Sequence, residues 1–333
     1  MTDIAVVPEL FAGAISIECT GGGLKPWRLP CDRLALFPPD DALPQRAECA
    51  AGVRLRLATD ATELTVLAAP LDAPRRIDVT IANAMVASLV LAPKAESVSV
   101  ALPPGQKVVE CWLPQTHGIV VRGVRLNDGA TATPAPDRRL RWVTYGSSIT
   151  HCGSAYSPAR TWPATVARRL DLNLTCLGYG GNCHLDPLIA CLIRDLPADV
   201  ITAKLGINIY GGASLSPRTF RAGIIGLVRI VREKHPHTPF GLISSIYSPP
   251  REDNKNAVGF TLKMMREQVA DAGRRLRECG DTQLYSFDGL ALFGADCGGY
   301  LPDQLHPNGD GYELLGNRIA DQVLPKLLAA MSG

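Results

Sequence analysis

Two polar segments of this sequence contain residue types that nucleophilic catalysis uses. Ser147 and Ser148 follow a glycine, and a serine on a turn between a strand and a helix has an exposed hydroxyl close to helix-end amides. Asp303 and His306 are three positions apart, so the carboxylate can fix the imidazole tautomer and stabilise its charged form. Taken singly, each segment also fits an ordinary turn or a helix cap.

Two further segments can supply hydrogen-bond donors. The glycines of the run Gly178-Tyr-Gly-Gly-Asn182 let the backbone approach a ligand closely and aim an N–H at it. The side-chain amide of Asn208 is a neutral donor for a developing oxyanion, and it equally fits a loop asparagine that holds a turn. The glycine run also suggests a dinucleotide fingerprint, but Cys183 stands where its third glycine belongs, so this alternative is a distant one.

These four segments lie near the ends of predicted strands or close to the chain's end, in the second half of the sequence. Apolar runs and amphipathic spacing there predict strand and helix alternating five times, which implies a parallel sheet covered on both faces. Ligands of such folds bind at the carboxyl ends of the strands. The strands are predicted at residues 141–145, 174–177, 199–205, 240–243 and 283–287, and the helices at 161–170, 186–196, 220–233, 258–279 and 311–328.

The first half of the sequence has a different pattern. Apolar and polar residues alternate at 53–57, 77–81 and 98–100, and Gly, Pro, Asp and Asn punctuate the gaps, which indicates an antiparallel sandwich. No amphipathic helix is predicted before residue 130. Residues 129–136 are small and contain prolines, so we interpret them as a linker. The sequence therefore predicts a β-sandwich domain at 1–135 and an α/β domain at 139–333.

Composition excludes several classes of function. The 333 residues include 34 basic and 32 acidic side chains, a net charge of +2, which argues against a nucleic-acid partner bound through phosphate neutralisation. No run approaches the roughly 18 apolar residues of a membrane span. Residues 1–17 contain Asp3 and Glu9 and no basic start, so we predict no secretory signal and a cytoplasmic location.

The ten cysteines are scattered along the chain and form no Cys-x-x-Cys pair. In a chain without a predicted export signal they are expected to be reduced and mostly buried. Two adjacent pairs, His151-Cys152 and Cys183-His184, lack further ligands at zinc-like spacing. We therefore predict no metal site and no cofactor.

Taken together, the four segments resemble in order and spacing the sequence blocks of the SGNH or GDSL hydrolase family. The matches are Gly146–Ser148, Gly178–Gly181, Gly206–Asn208 and Asp303–His306, within a resemblance that covers roughly residues 141–328.

The sequence departs from the family pattern at two positions. Ser147 stands where the first block usually has Asp, and Ile209 replaces the common Asp of the third block. Both departures leave the subfamily open. Every position that the family uses for catalysis is nevertheless occupied by a suitable residue.

The resemblance implies a flavodoxin-like, three-layer α/β/α sandwich with five parallel strands. It also implies the site residues: Ser148 as nucleophile, His306 as the base that takes its proton, and Asp303 as the residue that orients His306. The backbone N–H groups of Ser148 and Gly181, with the side-chain amide of Asn208, would form the oxyanion hole.

The leading functional prediction is a serine-dependent esterase that acts through an acyl-serine intermediate on a small-molecule or sugar ester. An alternative with the same Ser-His-Asp site is an acyltransferase that passes the acyl group to a natural-product alcohol. An alternative of another class is a non-catalytic carbohydrate-binding protein with a degenerate hydrolase domain. If the protein is an enzyme, we expect its partners to be a small-molecule ester or acyl donor and an alcohol acceptor.

The front half resembles the β-sandwich or jelly-roll modules that precede the catalytic domain in some family members. Such a module can bind sugar, cover the mouth of the active site or mediate dimerisation, and the sequence does not choose between these roles. Trp27 and Trp112 fit either an aromatic binding platform or a buried core.

Overall fold

The computed structural model describes residues 1–38 and 42–332. The chain divides into two units, which interleave along the sequence. The first comprises residues 1–139 and 156–176, and the second comprises residues 140–155 and 177–333.

Antiparallel strands dominate the first unit. In chain order they are β1 (Thr2–Ile4), β2 (Phe11–Ala12), β3 (Ser16–Thr20), β4 (Gly23–Trp27), β5 (Arg54–Thr59), β6 (Glu63–Ala68), β7 (Arg75–Ile81), β8 (Ala84–Leu91), β9 (Ser97–Ala101), β10 (Lys107–Trp112), β11 (Val121–Leu126) and β12 (Ala132–Pro134). One sheet has the order β3-β4-β11-β6-β9, with β1 beside β11. The other has the order β12-β5-β10-β7-β8, with β2 beside β5.

The two antiparallel sheets share one apolar core. Leu55 and Leu57 of β5 and Leu64 and Val66 of β6 belong to the same cluster of buried side chains, although β5 and β6 lie in different sheets. From Leu55 onward, burial at every second position of β5 (Leu55, Leu57 and Thr59) follows from strand geometry, because successive side chains point to opposite faces. The predicted N-terminal β-sandwich is confirmed.

Two expectations for the front half need correction, and one open alternative is decided. Part of the expected linker is the edge strand β12, whose residues pair with β5. A short helix, α1 (Leu43–Glu48), precedes residue 130. Of the two roles left open for Trp27 and Trp112, the structure shows the buried core: they are 7% and 1% exposed, and their indole N–H groups donate to Glu18 and Thr80.

Strands and helices alternate through the rest of the chain. The strands are β13 (Leu140–Gly146), β14 (Leu172–Gly178), β15 (Val200–Lys204), β16 (Phe240–Ile243) and β17 (Leu284–Phe287). The helices are α2 (Ser148–His151), α3 (Trp162–Arg169), α4 (Pro187–Asp195), α5 (Ile207–Gly212), α6 (Phe220–Arg232), α7 (Leu262–Glu278), α8 (Gly289–Leu292), α9 (Gly309–Gln322) and α10 (Leu324–Ala329). In the part of the chain that the structure describes, these five strands form one parallel sheet in the order β14-β13-β15-β16-β17.

Burial explains why these segments adopt their structures. Every residue of β15 is buried, as expected for a parallel strand covered on both faces. The buried side chains of α6 recur at helical spacing and form one apolar stripe. The predicted five-stranded α/β fold is confirmed. The helix expected at 311–328 is instead two helices, α9 and α10, which meet at Val323 just before Pro325.

All ten cysteines, which lie within the described residues, are free thiols. Among residues 1–38 and 42–332, no helix is long and apolar enough to cross a bilayer. The same residues contain no cluster of three or more His, Cys, Asp or Glu side chains able to hold a metal ion.

A buried lysine ends the central strand β15. Lys204 is 2% exposed and pairs in register with Gly146 of β13. Burial lowers the pKa of Lys204 to about 8, because an ammonium group loses its hydration there. The folded state therefore binds a proton at Lys204 more weakly than the unfolded state does.

We expect Lys204→Met to stabilise the fold at pH 7. The folded pKa of about 8 lies below the ordinary 10.5, so the lysine destabilises the wild type fully below pH 8 and progressively less up to pH 10.5. The shift corresponds to roughly 3 kcal/mol in the free energy of unfolding. Denaturant titrations at pH 7 and pH 10 measure the difference, with the exposed Lys263→Met as control; a difference that does not shrink at the higher pH would contradict the expectation.

Candidate active site

Ser148 lies at the start of α2, directly after β13. Ser147 is the N-cap of this helix, and its hydroxyl accepts a hydrogen bond from the N–H of Ile149 at 3.2 Å. Gly146 is required in front of it, because a Cβ there would overlap the side chain of Thr150. This sharp turn places the Ser148 hydroxyl at the carboxyl end of the sheet.

His306 and Asp303 lie on the segment between Tyr300 and α9. The Oδ1 atom of Asp303 accepts hydrogen bonds from the N–H groups of Leu305 at 3.0 Å and His306 at 2.7 Å. Gln304, which lies between Asp303 and Leu305, has φ +60°, a left-handed conformation that these hydrogen bonds stabilise. The turn thus fixes the carboxylate relative to the backbone of His306.

The side chains of Ser148, His306 and Asp303 form a continuous hydrogen-bonded line. The distance from Ser148 Oγ to His306 Nε2 is 2.8 Å, and the distance from His306 Nδ1 to Asp303 Oδ2 is 2.6 Å. A carboxylate can only accept, so it holds the proton of a neutral imidazole on Nδ1 and leaves Nε2 free to accept the serine hydroxyl hydrogen. This is the arrangement that activates a serine nucleophile.

Hydrogen bonds within the turn stabilise the ionised form of Asp303. Partial burial acts to raise the pKa of Asp303, but the hydrogen bonds from the His306 side chain and from the N–H groups of His306 and Leu305 outweigh it. The pKa of Asp303 therefore lies below its ordinary value. The carboxylate stays ionised at neutral pH, as the orienting role requires.

The glycine-rich turn after β14 lies against the serine turn. The N–H of Tyr179 donates to the carbonyl of Gly146 at 2.8 Å. Gly178 permits this approach, because a Cβ there would overlap the backbone of Thr150 and His151. Gly181 has φ +79°, a conformation that glycine adopts without strain.

Asn208, in the first turn of α5, is tied to the same turn. Its Oδ1 accepts the N–H of Cys183 at 3.1 Å. Because the amide oxygen is used in this way, the amide NH₂ group is directed elsewhere and keeps its capacity to donate. The structure thus links the Asn208 side chain to the Gly178–Asn182 turn, and links that turn to the serine turn.

The other cysteine and histidine candidates do not complete a second site. Burial raises the pKa of the Cys183 thiol to about 12, so it is not a thiolate at neutral pH. Cys152 is fully buried and its thiol faces the carbonyl of Ile149. His184 bonds to Ser214 and to the carbonyl of Gly181.

Comparison of the chain with known proteins points to the same kind of enzyme as the hydrogen-bonded line of Ser148, His306 and Asp303 does. A family model described as the GDSL-like Lipase/Acylhydrolase family matches residues 140–327, more than half of the chain. This chain belongs to the GDSL-like acylhydrolase family. It is accordingly an enzyme that acts on acyl esters.

A second family model, described as the SsfX3 N-terminal domain, matches residues 10–122 of this GDSL enzyme. One similar solved structure is the salicylyl-acyltransferase SsfX3 from a tetracycline biosynthetic pathway. It is 33% identical, with a TM-score of 0.88, and the match covers 99% of this chain and 98% of that chain. A search of curated proteins finds no match.

Two less similar structures share the fold of this GDSL enzyme. A GDSL-like lipase from Bacteroides ovatus, described as putative in its own report, is 19% identical with a TM-score of 0.76; 97% of this chain and 96% of that chain align. A family two carbohydrate esterase from Clostridium thermocellum is 16% identical with a TM-score of 0.66; 95% of this chain and 99% of that chain align. At these identities the likeness concerns the fold alone.

The two departures from the GDSL pattern have structural explanations. Ser147 caps α2, a task that Ser performs as well as Asp, so the serine turn keeps its form. Ile209 is fully buried and belongs to the core. Neither substitution removes a side chain from the line of Ser148, His306 and Asp303.

Sequence reasoning missed a pair of side chains that hold the histidine segment. Ser248 Oγ donates to the carbonyl of Gln304 at 2.6 Å, and Arg251 donates to Ser248 Oγ at 2.9 Å and to the same carbonyl at 3.3 Å. The Gln304 carbonyl and the Leu305 N–H belong to the same peptide group, and this N–H donates to Asp303. Nothing in the local sequence around Ser248 signals this contact, because the partners are 56 positions apart.

We expect Ser248→Ala to lower kcat by about tenfold with little change in KM, since the loop that positions His306 loses the hydrogen bond from Ser248 Oγ to the Gln304 carbonyl. Steady-state ester hydrolysis measures both constants. Ser88→Ala, an exposed serine of β8, is the control. A wild-type kcat in the Ser248→Ala enzyme would show that Arg251 or the turn itself suffices to position the loop.

Proposed function

We propose that this enzyme transfers an acyl group from an activated ester to the hydroxyl of a small molecule, through an acyl-enzyme on Ser148. The observation that carries the proposal is the 2.8 Å contact between Ser148 Oγ and His306 Nε2, with Asp303 at 2.6 Å behind the imidazole. This contact gives the hydroxyl a base already held in the required tautomer.

Acylation begins when Ser148 Oγ attacks the carbonyl carbon of the donor. The serine proton passes to His306 Nε2, and Asp303 stabilises the imidazolium that forms. The carbonyl oxygen becomes an oxyanion, for which we propose three donors: the N–H groups of Ser148 and Gly181 and the side-chain NH₂ of Asn208. Collapse of this intermediate expels the leaving group, which takes the proton from His306.

Deacylation reverses these steps with a new nucleophile. The acceptor hydroxyl gives its proton to His306 Nε2 and attacks the acyl carbon. The same donors hold the second oxyanion, and its collapse breaks the bond to Ser148 Oγ, which recovers a proton from His306. With water as acceptor the product is the free acid, and with an alcohol it is a new ester.

The acyltransferase outcome is supported by similarity to SsfX3. That protein is described as a salicylyl-acyltransferase, and its 33% identity extends over 99% of this chain. Hydrolysis is the second candidate, and the exposure of the site favours it: the side chains of His306 and Asp303 are 31% and 53% exposed, so water reaches them.

The free cysteines support a reducing compartment, and we propose the cytoplasm.

The partition of products distinguishes the two acceptors. The purified enzyme is given p-nitrophenyl acetate with a panel of phenolic and aliphatic alcohols, and ester product and free acid are quantified together. Transfer predicts a saturable rise of ester over acid with one class of alcohol. Acid alone at every alcohol concentration would support hydrolysis.

Labelling with a fluorophosphonate tests the catalytic proposal itself. Attack by Ser148 Oγ forms a phosphorus–oxygen bond and expels fluoride, while the serine proton goes to His306. One label per chain at Ser148, found by mass spectrometry, supports the enzyme. An unlabelled, folded chain would contradict the assignment of Ser148 as the nucleophile.

A further inference from the structure

Side chains hold both peptide groups that flank Gly181. The Nδ2 of Asn182 donates to the carbonyl of Gly180 at 2.7 Å, in front of Gly181. The Nε2 of His184 donates to the carbonyl of Gly181 itself at 2.8 Å, behind it. Asn182 is 4% exposed, so its amide is fixed in the protein interior.

The first of these hydrogen bonds sets the direction of the Gly181 N–H. The Gly180 carbonyl and the Gly181 N–H belong to one peptide group, which is planar and trans. The two bonds of this group point in opposite directions, so a side chain that holds the oxygen also aims the hydrogen. Asn182 thereby acts on a donor that it does not touch.

Packing alone does not fix this glycine. A Cβ built on Gly181 would have no heavy atom within 4 Å, apart from its own chain neighbours, and its φ is +79°. An unpacked glycine has the widest conformational choice of any residue. A backbone bond from the Asn182 N–H to the carbonyl of Tyr179, at 3.0 Å, closes the turn, and the side-chain hydrogen bonds from Asn182 and His184 restrict the peptide groups on either side of Gly181 further.

The second hydrogen bond has its own support. A carbonyl only accepts, so His184 Nε2 carries a hydrogen, and the Nδ1 of the neutral ring accepts the hydroxyl hydrogen of Ser214 at 2.7 Å. Between Asn182 and His184, the N–H of Cys183 donates to Oδ1 of Asn208 and so ties the turn to α5. Asn182 is thus one member of a run of residues that fastens the turn on both sides of Gly181.

We propose that Asn182 is a positioning residue that aligns the Gly181 N–H with the oxyanion, supported by the His184–Ser214 pair on the following peptide. This inference rests on the proposed function, because it presumes that Ser148 attacks an electrophile and that Gly181 is one of the donors. Asn182 itself contacts no reacting atom. Removing its amide leaves the donor in place and loosens its direction.

The test compares two probes that differ only in the atom the oxyanion hole receives. Diethyl p-nitrophenyl phosphate and its phosphorothioate analogue both react by attack of Ser148 Oγ on phosphorus; p-nitrophenolate leaves, and the serine proton passes to His306. Sulfur accepts hydrogen bonds more weakly than oxygen does. The ratio of the two rate constants therefore reports on donor alignment, and a general loss of structure lowers both rates together.

We expect Asn182→Asp, which keeps the shape and removes the donor, to lower the oxygen-to-sulfur ratio about tenfold, less than the loss of a whole donor. Asn182→Ala is the uncharged second variant and is expected to give the same direction. Gln268→Glu is the matched control, because it removes a side-chain amide on α7 that donates to a backbone carbonyl, that of Pro217. Thermal midpoints establish that each variant is folded.

The outcomes separate this inference from the proposed function. A wild-type enzyme that releases no burst of p-nitrophenolate would overturn the assignment of Ser148 as nucleophile. A normal burst with an unchanged ratio in both Asn182 variants would overturn the role of Asn182 alone. A lower ratio in both, with the Gln268→Glu ratio unchanged, supports the inference.

Discussion

Ser148→Ala is expected to abolish acyl-enzyme formation and to lower kcat by about 10⁶-fold. The substitution removes the only atom of the proposed site that forms a bond to the acyl group. His306 then has no hydroxyl at 2.8 Å from which to take a proton, so its alignment contributes nothing. Release of p-nitrophenol from p-nitrophenyl acetate, with fluorophosphonate labelling in parallel, measures both losses.

The fold of the Ser148→Ala enzyme is expected to remain intact. Ser147, which caps α2, is untouched, and alanine is the best helix former. Ser154→Ala is the control, because this exposed serine lies six residues further along the chain. Undiminished turnover in a purified, folded Ser148→Ala protein would remove the basis of the assignment.

The architecture was predictable because its signals are local. The fully buried β15 appears in the sequence as a short, mostly apolar run that Thr202 interrupts once before Lys204, and the buried positions of α6 recur at helical spacing. Each pattern depends only on residues that are close in sequence. The errors arose where tertiary pairing decides: β12 is short and contains a proline, and it is a strand only because β5 lies beside it.

The identities and the order of the candidate site residues could be predicted from the sequence, but their arrangement in space could not. The order of Ser148, Gly181, Asn208, Asp303 and His306 resembles the family blocks, and the structure places the first and last of these in hydrogen-bond contact across 158 positions. No local pattern gives that distance. Their roles in catalysis stay predictions until the variants are measured.

The supporting hydrogen bonds could not be found from sequence for the same reason. The contact of Ser248 with the Gln304 carbonyl depends on two loops that only the fold brings together. The contact of Asn182 with Gly180 is local, but many asparagines in turns make such bonds. The role we propose for this contact depends on the N–H of Gly181, which belongs to the same peptide group as the Gly180 carbonyl. That role can be inferred only when the position of the turn relative to Ser148 is known.

Asp303→Asn is expected to lower kcat by about 10⁴-fold through the tautomer of His306, by the logic established for serine-protease triads. Asp303 uses Oδ1 for the N–H groups of Leu305 and His306 and Oδ2 for the imidazole Nδ1. An asparagine has one acceptor atom, so keeping both backbone bonds turns its NH₂ group toward Nδ1. The ring must then carry its proton on Nε2, where it donates to Ser148 Oγ and cannot take the serine proton.

The pH dependence and a second variant make this prediction specific. Because the backbone bonds survive, Asp303→Asn should unfold close to the wild-type temperature, whereas Asp303→Ala loses these bonds as well and should be less stable. In Asp303→Asn the rate should recover partly at high pH, where hydroxide replaces the missing base. A kcat within tenfold of the wild type would mean that the turn around Gln304, and not the carboxylate, holds His306 in its productive tautomer.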